Sequence, residues 1–224
     1  MIVAIDGPSG VGKSTVGRAV AAHLGLPYLD TGAMYRAVGL AVLRRGVRLP
    51  LADAAEVGEI AGALDVTVTG SAADVRTFLD GEDVSADIRS PEVSRYASAV
   101  AAVPAVRRRL AARQRELALA GGGVLEGRDI GTRVVPEADF KFFLTARPDI
   151  RARRRWEELK AKGTPQPLER VLAETVARDR ADETRADSPL RCDESYRVVD
   201  TSELSAGEVV DRLLAIVAGA AAGG

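Results

Sequence analysis

The feature that most constrains this chain lies within its first 15 residues. A short apolar run, Ile2-Val3-Ala4-Ile5-Asp6, predicts a buried strand, and an amphipathic helix is predicted from about Lys13 to Leu24. The turn between them, Gly7-Pro8-Ser9-Gly10-Val11-Gly12-Lys13-Ser14, matches the pattern G-x-x-x-x-G-K-[ST] without a gap. A strand, a glycine-rich turn and a helix in this order are typical of an α/β fold with a parallel sheet.

The chemistry of this turn is that of a phosphate-binding loop. Glycines let the backbone point its N–H groups at a chain of phosphates, and the N-terminus of the following helix adds partial positive charge. In such loops the lysine, here Lys13, reaches the β- and γ-phosphates, and the hydroxyl of Ser14 is a ligand for Mg²⁺. The turn therefore predicts binding of a nucleoside triphosphate with Mg²⁺ as cofactor, but it does not identify the phosphate acceptor.

Strands alternate with helices along most of the chain, which predicts a doubly wound sheet of five parallel strands flanked by helices. The predicted strands cover 2–6, 27–29, 124–126, 140–144 and 196–200. The predicted helices cover 13–24, 51–63, 91–120 with a break near Pro104, 148–162, 166–185 and 205–218, and another helix, N-capped by Asp30 or Thr31, runs to about Arg45.

One segment follows a different pattern. Residues 65–70 and 75–79 alternate with period two, and 84–88 form a third candidate strand. These patterns predict a small antiparallel β lobe over 64–90, inserted into a core formed by 1–63 and 91–218. The low-complexity tail at 219–224 is expected to be disordered.

Composition argues against several classes of protein. The formal net charge of −1 is unlike that of a dedicated nucleic-acid-binding protein. No run of 18 apolar residues occurs, and the first residues lack the pattern of a secretory signal, so neither a membrane span nor export is expected. The single cysteine, Cys192, can form neither an internal disulfide nor a zinc site, and a reducing cytoplasm is the expected compartment.

Positive charge comes mostly from 27 arginines, with only four lysines. A guanidinium group can bind phosphate through two parallel hydrogen bonds, so arginines near the predicted sheet edge are candidate phosphate ligands. The candidates are Arg36 after the second strand, the group of Glu126, Arg128 and Asp129 at the third, the Arg178, Asp182 and Arg185 face of one helix, and the run 151–155. The group at the third strand is also the place for an acidic residue near Mg²⁺. Each group alone is equally typical of a solvated surface with ion pairs, whereas their coincidence beside a phosphate loop favours a binding site.

Three classes of protein could account for parts of these patterns. A P-loop kinase that acts on shikimate or UMP would account for the loop and the fold but would not explain the β lobe. A switch of the GTPase type usually carries N-K-x-D, which a chain without asparagine cannot contain. An RNA-binding module could use Arg107, Arg108, Arg109, Arg113 and Arg115, although that stretch lacks interleaved aromatic residues.

The motifs together resemble those of bacterial cytidylate kinases, a family of nucleoside monophosphate kinases, over about residues 2–217. The resemblance rests on GPSGVGKST at 7–15, LDTGAMYR at 29–36, DGEDVS at 80–85, IRSPEV at 88–93, EGRDIGT at 126–132 and RDRADETR at 178–185. It implies a P-loop kinase core, a monophosphate-binding β lobe and a helical lid at about 148–165. It also implies a monomer that phosphorylates CMP or dCMP from ATP, with no nucleic-acid or membrane partner.

The resemblance further implies roles for individual residues. ATP is expected at Gly7, Pro8, Ser9, Gly10, Val11, Gly12, Lys13, Ser14 and Thr15. The CMP phosphate is expected at Arg36, Arg128 and Arg185, and the cytosine base at Ser98, Arg107 and Asp129. Tyr35, Arg178 and Asp182 are expected along the nucleotide, the last two at the sugar hydroxyls, and the CMP-binding residue Thr31 stands where the family also has serine. The expected catalytic residues are Lys13, Arg128, Arg185 and Arg154 of the lid.

Overall fold

Two separate sheets form the β structure of this chain. A computed structural model describes residues 1–70 and 74–222. The strands are β1 (Ile2–Asp6), β2 (Tyr28–Asp30), β3 (Val66–Gly70), β4 (Val75–Leu79), β5 (Glu82–Asp83), β6 (Gly123–Gly127), β7 (Phe140–Thr145) and β8 (Arg197–Asp200). The main sheet is parallel in the order β2-β6-β1-β7-β8, which confirms the predicted five-stranded α/β fold.

Eight α-helices accompany these strands within the described residues. They are α1 (Lys13–Leu24), α2 (Thr31–Arg44), α3 (Ala54–Ala63), α4 (Pro91–Val100), α5 (Pro104–Gly121), α6 (Pro148–Ala161), α7 (Leu168–Thr184) and α8 (Ala206–Ala222). The predicted break at Pro104 is confirmed, because α4 ends at Val100 and Pro104 occupies the first turn of α5.

Apolar residues on both faces of the main sheet explain its burial. In β1, Val3 and Ile5 belong to one hydrophobic cluster with residues of α1 and α8, whereas Ala4 belongs to another with Ala118 of α5. Side chains alternate across a strand, so a parallel strand covered on both faces must be apolar at every position. The sheet is therefore rigid at its centre, and its carboxyl edge presents the loops that follow β1, β2 and β6.

The inserted lobe differs in part from the prediction. Strands β3, β4 and β5 form an antiparallel sheet in that order, as expected of a lobe within 64–90. The predicted third strand at 84–88 is wrong, because β5 spans only Glu82–Asp83 and Asp87–Arg89 form a short 3-10 turn. Val84 and Ile88 are buried in the cluster that includes α2, so their apolar character reflects core packing rather than strand pairing.

The end of the chain also differs. The last helix continues to Ala222, so the predicted disorder is wrong for 219–222, and the remainder of that predicted tail lies outside the described residues. No helix in the described ranges is both long and apolar enough to cross a membrane.

Helices α2 and α4 approach each other most closely at Gly39. A Cβ atom added there would lie 2.8 Å from the backbone nitrogen of Ala97 and 3.1 Å from the carbonyl carbon of Tyr96. Neither atom can move without shifting α4 as a whole. Glycine at this position therefore sets the position of α4, which also carries Ser98.

Replacement of Gly39 tests this close approach. Gly39→Ala should lower the free energy of unfolding by roughly 1–3 kcal/mol, because overpacking outweighs the higher helix propensity of alanine. Urea denaturation measures the change. Gly62→Ala in α3 is the matched control, because an added Cβ atom meets nothing within 4 Å there. That substitution should raise stability by up to about 1 kcal/mol. A Gly39→Ala protein as stable as the parent would contradict the packing argument.

Candidate active site

A cleft of about 300 Å³ lies at the carboxyl edge of the main sheet. It is enclosed by the phosphate loop, the start of α2, α4, the segment after β6, and helices α6 and α7. Most of the predicted site residues line it: Ser9, Gly10, Gly12, Lys13, Ser14, Thr15, Thr31, Tyr35, Arg36, Ser98, Arg107, Arg128, Asp129, Arg178, Asp182 and Arg185. The described part of the β lobe contributes no lining residue.

The phosphate loop depends on glycine where its backbone turns. Gly7 has a φ of 147° and Gly12 a φ of 92°, both in the region that favours glycine. A Cβ atom on Gly7 would lie 2.1 Å from the carbonyl oxygen of Leu144. Lys13 Nζ donates to the carbonyl oxygens of Gly7 and Pro8 at 2.8 and 2.7 Å, so these two residues shape the loop without lining the cleft. Val11, also predicted as an ATP contact, is buried in the core.

Lys13 lies in an environment that disfavours its charge. Burial and then the positive charge of Arg128 lower its pKa to about 7, and Glu126 and Asp6 act in the opposite direction. A phosphate chain beside Lys13 would favour the ammonium form, so ligand binding and protonation are linked at this residue.

Glu126 belongs to the group after the third predicted strand, but the sequence prediction gave it no contact of its own. Its Oε1 accepts a hydrogen bond from Ser14 Oγ at 2.7 Å, and its backbone carbonyl accepts one from Thr31 Oγ1 at 2.6 Å. Burial, followed by the charge of Asp30, raises the pKa of Glu126. Its Oε2 is buried and has no hydrogen-bond partner among the described residues. The signal was present in the sequence, because Glu126 ends the strand that precedes Arg128.

Each predicted phosphate arginine is paired with a carboxylate. Arg36 Nη2 lies 2.7 Å from Asp30 Oδ2, and Asp30 Oδ1 also accepts from the N–H of Ala33, which confirms Asp30 as the N-cap of α2. Arg128 Nε lies 2.9 Å from Asp182 Oδ2, and Arg185 Nη1 lies 3.4 Å from Asp182 Oδ1. The carboxylates hold the guanidinium groups in fixed directions toward the cleft.

Positive charge in the cleft is nevertheless only partly compensated. Burial, and then the neighbouring charge of Arg128, lower the pKa of Arg178 to about 10. Arg178 Nε and Arg185 Nη2 are buried without a hydrogen-bond partner in the described ranges, although Arg185 Nη2 lies 3.7 Å from Asp129 Oδ1. Buried donors of this kind fit an anionic ligand.

The three predicted base-recognition residues lie on one side of the cleft. The Arg107 side chain is 4% exposed and pairs with the carboxylate of Asp129, and its guanidinium carbon lies 5.5 Å from the ring centroid of Tyr35. Ser98 lines the cleft from α4, and Arg107 Nη1 donates to the carbonyl oxygen of Ala101 just after that helix at 3.3 Å. A buried carboxylate, a guanidinium group and a hydroxyl together can recognise a polar base edge.

The arginine run of α6 divides between two sides of the helix. Arg155 and Glu158 line the cleft, whereas Arg154 does not and instead donates to Thr201 Oγ1 and the Thr201 carbonyl at 3.0 and 2.6 Å. Consecutive residues point about 100° apart on a helix, so a run of letters alone does not show which member faces the cleft. The arginine of this run that faces the cleft is Arg155 rather than Arg154.

Arg151, in the same run, connects both helices to the phosphate loop. Its Nη1 lies 2.6 Å from Asp179 Oδ2 of α7 and donates to the carbonyl oxygen of Ser9 at 3.3 Å. The contact is close enough that a Cβ atom on Gly10 would lie 3.0 Å from the Arg151 carbonyl oxygen. Helices α6 and α7 are thus attached to the loop that would hold a triphosphate.

Comparison with known proteins agrees with this geometry. The family model described as cytidylate kinase matches residues 3–219. The chain belongs to the cytidylate kinase family. It is 50% identical over 218 residues to the cytidylate kinase of Mycobacterium leprae, covering 97% of this chain and 95% of that protein. Against the cytidylate kinase of Caldanaerobacter subterraneus subsp. tengcongensis the identity is 49% over 211 residues, with 94% and 92% covered.

Two other similarities say less about function. A bifunctional pantoate ligase/cytidylate kinase of Synechococcus sp. is 50% identical over 216 residues, and the chain spans 95% of itself but only 40% of that protein. A shikimate kinase from Bacteroides thetaiotaomicron superposes with a TM-score of 0.50 at 16% identity, covering 97% of this chain and 98% of that one. At this identity the second similarity shows the P-loop kinase fold alone.

The lowered pKa of Lys13 generates a prediction for ATP binding. At pH 8 most of the free protein would hold Lys13 neutral, and bound ATP would restore the ammonium form, so binding should take up close to one proton per site. Isothermal titration in two buffers of different ionisation enthalpy measures the uptake. At pH 6 Lys13 is already protonated before ATP binds, and the uptake should fall toward zero. Equal heats in both buffers at pH 8 would contradict the assignment.

Proposed function

We propose that this protein is an ATP-dependent cytidylate kinase that transfers the γ-phosphate of ATP to CMP or dCMP. The products would be ADP and CDP or dCDP. The observation that carries the proposal is the convergence of the phosphate loop and six arginines on one cleft. The family membership and the buried polar groups on the base side support the choice of a cytidine nucleotide as acceptor.

The reaction needs positioning and charge neutralisation rather than a protein base. The phosphate of CMP has a second pKa of about 6, so it is largely dianionic at pH 7 and can attack without losing a proton. One of its oxygens forms a bond to the γ-phosphorus while the bond from that phosphorus to the β-phosphate oxygen breaks and ADP leaves. Lys13, Arg128 and Arg185 are the cations proposed to stabilise the charge during this transfer, and Arg36 would help to hold the acceptor.

The chain offers oxygen ligands suited to Mg²⁺. Ser14 Oγ lies against the carboxylate of Glu126, and hydroxyl and carboxylate oxygens are the donors that this ion prefers. The described residues contain no group of three or more histidine, cysteine or acidic side chains that could hold a metal ion. We therefore expect Ser14 and the phosphates of ATP to hold the ion jointly, with Glu126 orienting Ser14. When bound, Mg²⁺ neutralises charge on the β- and γ-phosphates.

Base selection is proposed to rest on Asp129 with Arg107 and Ser98. Cytosine presents an amino donor where uracil presents a carbonyl acceptor, so a carboxylate accepts a hydrogen bond from the former only. Tyr35, Arg178 and Asp182 would lie along the sugar and phosphate. The β lobe at 64–90 as a monophosphate-binding element, the lid at 148–165, the monomeric state and the cytoplasmic location remain predictions.

The arginine-rich helix α5 gives the RNA-binding alternative little support. Arg107 is buried against Asp129, Arg113 Nη1 lies 2.8 Å from Glu116 Oε2, and Arg115 pairs with Glu137. Only Arg107 is withdrawn from the surface by its burial, whereas Arg108 and Arg109 are exposed. The stretch still lacks the interleaved aromatic residues on which nucleic-acid bases stack.

A substrate series tests the proposed function. In a coupled assay of ADP release, CMP and dCMP should both be used, and CMP should exceed UMP by at least roughly tenfold in kcat/KM, since a lost buried hydrogen bond costs about 1–3 kcal/mol. Turnover of AMP as fast as that of CMP would contradict the assignment.

Removal of a phosphate arginine tests its proposed role. Arg185→Ala should raise KM for CMP and lower kcat, together costing on the order of 3 kcal/mol of transition-state stabilisation, because it removes a buried charged donor. Binding of ATP should change little. Arg180→Ala, an exposed arginine on the same helix, is the matched control and should leave both constants unchanged. Unaltered use of CMP by the Arg185→Ala protein would exclude the role.

A further inference from the structure

Asp6 is a buried charged residue that the proposed function does not use. It ends β1, directly before the phosphate loop, and it is fully buried. It does not line the cleft, so it cannot touch a nucleotide there. A buried carboxylate is costly unless it is fully hydrogen-bonded, so its partners indicate why it is present.

All three donors that bind Asp6 belong to segments far away in the sequence. Its Oδ1 accepts a hydrogen bond from the N–H of Ile130 at 3.0 Å. Its Oδ2 accepts from the N–H of Gly131 at 2.9 Å and from the hydroxyl of Tyr196 at 2.7 Å. Asp6 therefore fastens the turn Ile130–Val134 to the end of β1.

This arrangement changes what Asp129 can do. Asp129 is the N-cap residue of the turn Ile130–Val134, and an aspartate in that position ordinarily caps the free N–H groups with its own carboxylate. A capping side chain accepts from the second or third N–H of the turn, here that of Gly131 or Thr132, and Asp129 accepts neither. Asp6 accepts the N–H of Gly131 instead, together with that of Ile130. The Asp129 carboxylate is consequently directed to Arg107 and Arg185 at the cleft.

We propose that Asp6, supported by Tyr196, is a positioning residue that caps the turn in place of Asp129 and so directs the Asp129 carboxylate toward the cytosine base. The inference rests on the proposed role of Asp129 in base recognition. Tyr196 is part of the arrangement because its hydroxyl shares an oxygen of Asp6 and its ring packs edge-on against Phe143, with centroids 5.9 Å apart.

The packing at Gly131 supports the same conclusion. A Cβ atom there would lie 2.7 Å from the Tyr196 hydroxyl oxygen, although the backbone of Gly131 does not itself require glycine. The residue is small because the turn, the Tyr196 hydroxyl and the Asp6 carboxylate occupy one tightly packed volume. Any larger side chain would separate Tyr196 from Asp6.

The test compares Asp6→Asn and Tyr196→Phe with the parent protein. An amide has a single acceptor oxygen, so in Asp6→Asn its NH₂ group would face a donor, and the turn should lose a hydrogen bond. We expect KM for CMP to rise roughly tenfold and the preference for CMP over UMP to fall by a similar factor. Tyr196→Phe removes one bond and keeps the ring, so it should shift the same two quantities in the same direction by about threefold. KM for ATP is compared in Tyr196→Phe, where it should stay near the parental value, because that variant keeps the Asp6 charge that raises the pKa of Lys13.

Val209→Ala in α8 is the matched control for lost stability. It truncates a buried residue that packs against the main sheet but does not line the cleft. It should lower the melting temperature while preserving the ratio of CMP to UMP use. If Asp6→Asn fails to fold, Tyr196→Phe carries the test. Folded Asp6→Asn and Tyr196→Phe proteins with parental CMP/UMP ratios would overturn the proposal.

Asp129→Asn distinguishes failure of the positioning role of Asp6 from failure of the base recognition by Asp129 on which that role rests. Loss of the CMP preference in Asp129→Asn, with retention in both Asp6→Asn and Tyr196→Phe, overturns only the positioning role of Asp6. Retention of the preference in Asp129→Asn overturns base recognition by Asp129, and the positioning role with it. Parallel loss in all three variants supports the proposal.

Discussion

Pairing between buried arginines and carboxylates is the interaction on which the cleft depends. Several cations face the cleft. Burial, and then repulsion from the charge of Arg128, lower the pKa of both Lys13 and Arg178. Removing one partner of a buried pair leaves an uncompensated charge, which is far costlier than losing a surface ion pair. The carboxylates are therefore as much a part of the phosphate site as the guanidinium groups. The pairs are Arg36 with Asp30, Arg107 with Asp129, and both Arg128 and Arg185 with Asp182.

These pairs bear on two roles of Asp182, one toward the phosphate and one toward the sugar of the same nucleotide. Asp182 lies between Arg128 and Arg185, although the family resemblance implies a sugar contact for it. A phosphate that binds both guanidinium groups would supply the negative charge that Asp182 otherwise provides. The carboxylate could then accept hydrogen bonds from sugar hydroxyls without leaving the arginines unpaired. Phosphate and sugar binding would in this way favour each other through a single side chain.

Sequence reasoning reached the features that are local in the chain. The phosphate loop, the Asp30 cap and the shared face of Arg178, Asp182 and Arg185 each depend on spacing within a few residues, and the structure agrees with their positions. The predictions differ from the structure where tertiary packing determines the conformation or the direction of a side chain. The segment 84–88 is apolar because Val84 and Ile88 fill a core, not because it pairs as a strand. Whether Arg154 or Arg155 faces the cleft depends on how α6 lies against the loop after β8, which no local pattern specifies.

The contacts of two buried acids were not predicted, for a related reason. Glu126 meets Ser14 across 112 positions of sequence, and Asp6 meets Ile130 across 124. The partners of these acids are backbone groups and hydroxyls, which leave no charge pattern to search for. Only the strand order reveals them, because β6 lies between β1 and β2 and places Asp6 opposite Gly127 and Glu126 opposite Asp30.

The same strand order separates the tasks of the site. Lys13, Arg36 and Arg128 each follow the end of a strand by at most seven residues, so these three cations are held by the carboxyl edge of the sheet, whereas Arg185 directly follows α7. In-line transfer depends on placement to a fraction of an ångström, which such an edge supplies. Ser98, Arg107 and Arg178 instead lie on α4, α5 and α7 and line the cleft from there. Asp129 is the exception among the residues proposed to recognise the base and sugar, since it lies at the sheet edge, and its proposed role depends most on the buried Asp6 carboxylate.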